Sequence, residues 1–227
     1  GVPLSGRALT FINGKGYMTA AGGRIFRSTN NGSNWSPVVN NVITNISGLA
    51  IATPLVNYMI AEDRIVYKST DGGNNWNLYP TPGNMSFTNN IAFADANTGI
   101  IVGSTPNMKR TTNGGLNWTT VDPGTTSDLY GAQFINANTG FATGDIGVVS
   151  KTTNAGLNWL AGPVSTSATA YNDVVVFDST LILATKMSGI VYSTNMGQSW
   201  NSTNISKEMY EINRTDHTSR YAFVLGK

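Results

Sequence analysis

The sequence contains no cysteine, and this absence excludes several kinds of site at once. Thiol catalysis, disulfide bonds and cysteine-ligated zinc all require a thiol group. A single histidine, His217, leaves no histidine cluster for a metal ion and offers little scope for a histidine general base. We therefore expect no catalytic residues, no metal ion and no cofactor.

Charge is also scarce. Charged residues make up 11% of the chain, against about 25% in an average soluble protein. The formal net charge is only +2, which excludes a nucleic-acid binder that works through bulk positive charge. No apolar run approaches the roughly 18 residues of a transmembrane helix. With 227 residues and 40% hydrophobic residues, the chain can still bury a substantial core.

The dominant positive feature is an internal repeat. The five tryptophans recur every 41 or 42 residues, and each closes a copy of the octapeptide Ser/Thr-Thr-Asn/Asp-x-Gly-x-Asn/Ser-Trp. Five copies in register indicate a repeat architecture. The copies are Ser28–Trp35, Ser69–Trp76, Thr111–Trp118, Thr152–Trp159 and Ser193–Trp200.

The residue types of the octapeptide predict a tight turn between two strands. An Asn or Asp side chain can accept backbone N–H groups of the loop, and a glycine can adopt a positive φ. The tryptophan then begins the next strand and buries its ring. The predicted turn residues are Asn30, Gly32, Trp35, Asp71, Gly73, Trp76, Asn113, Gly115, Trp118, Asn154, Gly156, Trp159, Asn195, Gly197 and Trp200.

Short apolar runs around each octapeptide predict four strands in every repeat. Four strands in about 40–45 residues are typical of a β-propeller blade. We therefore predict an all-β fold: a single β-propeller domain over 1–227, built of four-stranded antiparallel blades. The predicted blades are five full ones at about 7–38, 46–80, 88–122, 129–164 and 171–203, with a partial sixth at 208–227.

The octapeptide resembles the Asp box, or bacterial neuraminidase repeat. That family includes sialidases, sortilin-type receptors, xyloglucan hydrolases and the photosystem II assembly factor group, and this chain looks most like the assembly-factor and sortilin-like repeats of secreted bacterial proteins. The resemblance implies a propeller whose boxes are structural and lie away from the active centre. Asn replaces Asp in four of the five copies here, and an amide oxygen can form the same turn.

The partial sixth blade leaves a question of closure. A half-blade would expose an unpaired strand edge, which natural proteins seldom leave open. We considered three ways to cover it: residues 1–6 add a closing strand, further sequence completes the blade, or a second copy of the chain adds a strand over 208–227.

The position directly before each octapeptide holds a long polar side chain. The occupants are Arg27, Lys68, Arg110, Lys151 and then Tyr192. Two interpretations are open: a cationic belt for an anionic glycan or partner, or stems that pack along the blade surface with their charges in water. We favour the second, because apolar residues accompany each cation along the strand.

Loops at the end opposite the octapeptides are where propellers usually bind their partners. These loops are short, which suits a shallow protein or glycan contact better than an enclosed pocket. Our candidate binding residues there are Glu62, Asp63, Asp145, Tyr171 and Lys186.

These observations predict a non-catalytic binding or structural module, secreted or on the cell surface of a bacterium. Its partner would be a protein or a glycan, bound through the propeller face or an open blade edge, with no nucleic acid and no transmembrane segment. Two alternatives remain: a fragment of a sialidase-like glycoside hydrolase, and a factor that assembles a membrane complex.

Overall fold

A computed structural model describes residues 8–12, 14–104, 108–162, 170–176, 180, 182–186, 189–204, 209–214 and 222–226. For 182–186, 204, 209–214 and 222–226 only the backbone is described. Strands dominate these residues, and the helical structure within them consists of single 3-10 turns at Ala21–Gly23 and Asp145–Gly147. No helix in this described part has the length and apolar character needed to cross a bilayer.

Twenty-two strands follow one another along the described chain. The first eleven are β1 (Ala8–Ile12), β2 (Lys15–Ala20), β3 (Arg24–Ser28), β4 (Ser36–Val38), β5 (Ile46–Ile51), β6 (Asn57–Ala61), β7 (Val66–Ser69), β8 (Asn77–Tyr79), β9 (Thr88–Phe93), β10 (Gly99–Gly103) and β11 (Met108–Thr111). The remaining eleven are β12 (Thr119–Val121), β13 (Leu129–Phe134), β14 (Gly140–Gly144), β15 (Val149–Thr152), β16 (Leu160–Ala161), β17 (Tyr171–Val176), β18 (Ile182–Lys186), β19 (Gly189–Ser193), β20 (Asn201–Asn204), β21 (Met209–Arg214) and β22 (Ala222–Gly226).

The strands pair antiparallel with their sequence neighbours. They form five four-stranded sheets, which we number sheet 1 (β1–β4) to sheet 5 (β17–β20), and the two-stranded sheet 6 (β21 and β22). The prediction of an all-β fold made of four-stranded antiparallel sheets is confirmed.

The first strand of each sheet lies against the first strand of the next. Contacts run from β1 through β5, β9, β13 and β17 to β21, and β21 also contacts β1. The first strands are therefore innermost, and the fourth strands, which contact mainly their own third strands, are outermost. This close approach has a local cause at Gly131, where an added Cβ would lie 2.6 Å from the Cα of Asp173 in β17.

The hydrophobic core lies between the faces of successive sheets. Tyr17 of sheet 1 and Met59 of sheet 2 belong to one buried cluster, and Tyr58 of sheet 2 and Ile101 of sheet 3 belong to the next. Because strand side chains alternate between the two faces of a sheet, a sheet buried on both faces needs apolar residues at successive positions. The fully buried run Tyr58–Ala61 in β6 meets that requirement.

Candidate functional site

The two ends of the strands carry different connections. The end that carries the links from the first to the second strand and from the third to the fourth strand is called the octapeptide end. The opposite end is called the loop end. It carries the links from the second to the third strand, such as Asp145–Gly147, and the links from one sheet to the next, such as 39–45 and 80–87.

At the octapeptide end, the turn in sheet 2 shows how the repeat folds. The Ser69 hydroxyl donates to Asp71 Oδ1 over 2.8 Å and accepts the Gly73 N–H over 2.8 Å. Asp71 Oδ1 also accepts the Asn75 N–H over 3.0 Å, and Gly73 has a φ of 77°. The side chains of Ser69 and Asp71 thereby hold the turn from inside.

The same two side-chain acceptors hold the other four turns. The N–H four residues after the first Ser or Thr donates to its hydroxyl, and the N–H four residues after the Asn donates to its Oδ1. The Ser and Thr residues are Ser28, Thr111, Thr152 and Ser193, and the amide acceptors are Asn30, Asn113, Asn154 and Asn195.

Three of the tryptophans, Trp35, Trp118 and Trp159, pack on an aromatic ring of the first strand of their own sheet. Trp118 meets Phe93 edge to face with ring centroids 6.3 Å apart, and Trp159 meets Phe134 in the same way. Trp159 is 7% exposed and its Nε1 donates to the Gly156 carbonyl over 3.1 Å. Trp76 is also buried, whereas Trp35, Trp118 and Trp200 are half-buried.

The cations that precede the octapeptides make contacts that neither sequence interpretation anticipated. Lys68 Nζ donates over 3.1 Å to the carbonyl of Gly114, which lies in the octapeptide of the next sheet. The ammonium group also lies 5.0 Å from the Tyr58 ring centroid and 4.7 Å from that of Tyr79. The hydrogen bond to Gly114 joins sheet 2 to sheet 3, and the two tyrosine rings, both of sheet 2, hold the ammonium group in place.

Three further cations reach the octapeptide of the following sheet. Arg27 Nη1 donates to Asn74 Oδ1, Arg110 Nε to the Ala155 carbonyl and Lys151 Nζ to the Met196 carbonyl. Tyr192 takes this position in sheet 5. The cations therefore hold neighbouring sheets together.

At the loop end, the acids Glu62 and Asp63 lie in the connection from β6 to β7, and both are exposed. Glu62 Oε2 accepts a hydrogen bond from Asn45 Nδ2 over 3.0 Å. Asp63 Oδ2 accepts one from the Thr44 hydroxyl, also over 3.0 Å. Their carboxylates thus lie against the connection from sheet 1 to sheet 2.

Asp145, the third predicted acid, lies in the connection from β14 to β15 beside Tyr130. Burial raises the pKa of Tyr130 to about 12, and a hydrogen bond and charge from Asp145 and the charge of Asp128 act in the same direction. The phenol therefore stays protonated at neutral pH, and negative charge dominates this part of the surface.

The remaining two predicted binding residues have different outcomes. Tyr171 is fully buried in the cluster between sheets 4 and 5, so the prediction that it contacts a partner is wrong. It begins β17, and the apolar faces of both sheets cover its ring. Lys186 ends β18, and its side chain lies outside the described residues.

Sequence reasoning missed a set of β-bulges at the loop end of the first strands. The pairing between first and second strand shifts by one residue there, in sheets 2 to 6. Bulges often occur beside functional sites because they change the direction of a side chain. Three of the extra residues, Ser47, Asn89 and Tyr130, stand 29 positions before the tryptophan of their sheet. This constant spacing is the sequence pattern from which these bulges could have been predicted. The half-buried extra residues are Ser47, Asn89, Tyr130 and Asn172.

Metal-binding groups do not converge in the described part of the chain, where no three His, Asp or Glu side chains are placed to hold an ion. Exposed apolar side chains are present instead. Those at the loop end are Val39, Ile43, Phe87 and Ile146, and those at the octapeptide end are Leu55, Leu116 and Leu157.

Comparison with known families identifies this arrangement of sheets. Residues 80–225 match the model of the photosynthesis system II assembly factor YCF48, whose repeats are of the neuraminidase type. The chain belongs to this family. No curated protein sequence matches the chain.

Solved structures share the fold at low sequence identity. YCF48 bound to a D1 peptide is 14% identical, with a TM-score of 0.59, and the match covers 98% of this chain and 90% of that one. YCF48 from Cyanidioschyzon merolae is 17% identical, with a TM-score of 0.57 and coverage of 99% and 94%. Virginiamycin B lyase from Staphylococcus aureus is 14% identical, with a TM-score of 0.75 and coverage of 93% and 75%.

Family membership corrects one prediction and confirms another. The predicted extracellular or cell-surface location is wrong, because the family is that of a photosystem II assembly factor. The predicted resemblance to the neuraminidase-repeat propellers is confirmed. The likeness to the lyase shows a common fold, since identity at this level carries no activity with it.

Proposed function

We propose that the chain is a non-catalytic assembly factor that binds a segment of a partner protein at the loop end of the propeller. Family membership supports the role, because the family is that of an assembly factor and one related structure holds a peptide. Of the two alternatives raised by the sequence, this is the factor that assembles a membrane complex.

We choose the loop end as the binding surface because the polar side chains at the octapeptide end are already engaged in hydrogen bonds. At the octapeptide end, hydrogen bonds within the turns and between sheets engage the serines, threonines and cations, as at Ser69 and Lys68. At the loop end, Ile43 is 86% and Phe87 66% exposed, on connections that differ from sheet to sheet. Exposed apolar groups on a shallow surface suit a protein partner.

We also propose that the chain forms one domain with six blades around a central axis. The support is the series of contacts between first strands, which returns from β21 to β1. Sheet 6 supplies two strands in the described residues, and the sources of its third and fourth strands remain the three that the sequence raised.

A peptide-binding experiment tests the proposed function. The probe is a synthetic peptide with the D1 sequence found in the related complex, titrated by calorimetry. We expect saturable binding, and a double substitution Ile43→Ser and Phe87→Ser should weaken it about tenfold or more, as loss of apolar anchors does.

The matched control is the double substitution Leu116→Ser and Leu157→Ser at the octapeptide end, where the two side chains are 52% and 55% exposed. This control should change the affinity by less than about twofold, in line with an exposed residue outside the interface. Absence of binding at millimolar peptide would contradict the assembly role. A loss seen only in the control would move the binding surface to the octapeptide end.

A further inference from the structure

Ile146, at the tip of the loop that joins β14 to β15, adopts an unfavourable backbone conformation. Its φ of 56° and ψ of 30° lie in the left-handed region, and its side chain is 64% exposed. A β-branched residue in this region is a genuine outlier and costs on the order of 1–2 kcal/mol. Strain of this kind is concentrated at binding and catalytic sites.

Sheet 1 shows that the same loop can be built without strain. Its tip is Gly22, with φ 72° and ψ 30°, and a Cβ added there would meet no atom within 4 Å. A glycine at 146 would therefore satisfy the turn, and the exposed isoleucine side chain contributes little buried area in return. Folding alone does not account for isoleucine at this position.

The loop is held in place from both sides. The Asp145 N–H donates over 2.9 Å to the carbonyl of Asp128 in the connection from sheet 3 to sheet 4. On the inner side, Asp145 lies close enough to Tyr130, the extra residue of the bulge in β13, to raise the pKa of its phenol. The turn Asp145–Gly147 also contacts β17 of the next sheet. The apolar tip and two carboxylates are thus presented together on a fixed support.

Negative charge predominates among the described side chains at the loop end. The acids there are Glu62, Asp63, Asp122, Asp128 and Asp145. These five acids outnumber the three described cations towards this end, which keep their charge and hydrogen-bond to neutral groups: Arg24 to the Ala21 carbonyl, Arg64 to the Met85 carbonyl and Lys109 to the Thr120 hydroxyl. A surface with this charge attracts a positively charged partner.

We propose that Ile146 and the adjoining carboxylates of Asp145 and Asp128 form the contact point for a positively charged segment of the partner protein. The segment would place an apolar side chain against Ile146 and a lysine or arginine beside the carboxylates. This inference rests on the proposed function and adds the chemistry of the partner.

The test uses two synthetic peptides with the same alternating apolar residues, one with lysine and one with glutamate at the intervening positions. Calorimetry at low salt should show at least about tenfold tighter binding of the lysine peptide, and added salt should reduce the difference. Ile146→Gly should weaken binding of the lysine peptide about fivefold or more, while Ile146→Leu, which keeps an apolar side chain, should retain most of it.

Urea unfolding provides a second readout on the same variants. Ile146→Gly should raise the unfolding midpoint, because it relieves the left-handed strain while it removes the contact. A merely structural role for Ile146 would lower stability and leave peptide binding unchanged. Greater stability together with weaker binding therefore supports the proposal, and unchanged binding overturns it.

The carboxylate has a matched control at the other end of the propeller. Asp145→Asn should weaken binding of the lysine peptide by about fivefold, as loss of an interfacial charge does. Asp95→Asn removes an acid from the octapeptide end and should have no effect. Asn136 holds the equivalent place in sheet 4 and accepts the same two backbone N–H groups as Asp95.

Failure of this inference is distinguishable from failure of the proposed function. If the D1 peptide binds and neither Ile146→Gly nor Asp145→Asn affects the binding of any peptide, the partner uses another part of the propeller and the inference is wrong. If the glutamate peptide binds as tightly as the lysine peptide, the assigned charge of the partner is wrong.

Discussion

The octapeptide end and the loop end of this propeller are built on opposite principles. At the octapeptide end, five turns repeat the same pair of side-chain acceptors, such as Ser69 and Asp71. At the loop end, the corresponding connections differ in length, charge and apolar content, and one of them holds Ile146 in a strained conformation. Repetition therefore specifies the scaffold, and departure from the repeat gives the loop end, where we propose that the partner binds, its varied surface.

A second contrast lies between sheets 1 to 4 and sheet 5. In the first four sheets a cation reaches the octapeptide of the following sheet, as Arg110 reaches Ala155. In sheet 5 the residue is Tyr192, which carries no positive charge. The four cations therefore serve contacts between neighbouring sheets, from sheet 1 to sheet 5.

The largest expected loss of stability comes from a buried side chain at the octapeptide end, compared with an exposed one at the loop end. Trp159 is 7% exposed at the octapeptide end, and Phe87 is 66% exposed at the loop end. Trp159→Ala should lower the free energy of unfolding by about 3–5 kcal/mol, since it removes a buried ring. Phe87→Ala should change it by less than about 0.5 kcal/mol. Urea unfolding of both variants measures this, and equal losses would contradict the comparison.

Two glycines with similar positive φ values, one at each end of the propeller, sharpen the comparison further. Gly73 has a φ of 77° and Gly22 a φ of 72°. A Cβ on Gly73 would lie 2.5 Å from Tyr17 Cε1, whereas one on Gly22 would meet nothing within 4 Å.

Gly22→Ala should therefore cost about 1 kcal/mol, the price of a left-handed conformation alone. Gly73→Ala should cost about 3 kcal/mol, because the clash with Tyr17 adds to the same conformational cost. Thermal or urea unfolding checks both values. Indistinguishable losses would mean that conformation alone, and not the contact between sheets, explains the glycine of the octapeptide.

The next largest loss of stability is expected when Lys68 loses its contact with the neighbouring sheet. Lys68→Met keeps the length of the side chain and removes its charge, its hydrogen bond to Gly114 and its position over the tyrosine rings. The free energy of unfolding should fall by about 1–2 kcal/mol. The control Lys15→Met, in β2, should change it by less than about 0.5 kcal/mol. If both variants unfold alike, Lys68 does not join sheets 2 and 3.

The smallest expected effect concerns the aspartate at a position where four turns carry asparagine. Hydrogen bonds from the backbone and side chain of Asn75 are the largest cause of the lowering of the Asp71 pKa to about 2. The ionised carboxylate therefore adds stability that is present above the ordinary pKa of 3.8 and is lost as the pH falls towards 2.

Asp71→Asn should cost less than about 1 kcal/mol at neutral pH, because the carboxylate is close to the surface and the amide can form the same turn. The gap in urea midpoint between wild type and variant should then narrow between about pH 4 and pH 2. A gap that widens on acidification would mean that the carboxylate is not the favoured form in the folded turn.

The sequence was enough to predict the strands, the turns and their repeat. It predicted the candidate binding residues less well. The spacing of Trp35 to Trp200 and the turn chemistry of the octapeptide predicted an all-β propeller of four-stranded sheets, because each of those patterns is local. The candidate acids Glu62, Asp63 and Asp145 were found as loop residues. Tyr171 was misjudged, because the burial of a residue at the start of a strand depends on the neighbouring sheet that covers it.

The sequence by itself determined the strands, the antiparallel order within each sheet and the turns, since hydrogen bonds over a few residues and alternating side chains decide them. Only the tertiary structure decided which surfaces are free. The contact of Lys68 with Gly114 and the bulge at Tyr130 arise where strands and sheets meet, and no spacing along the chain shows that meeting. The strain at Ile146 is likewise a property of the folded loop, because a left-handed φ is fixed by the turn between two paired strands.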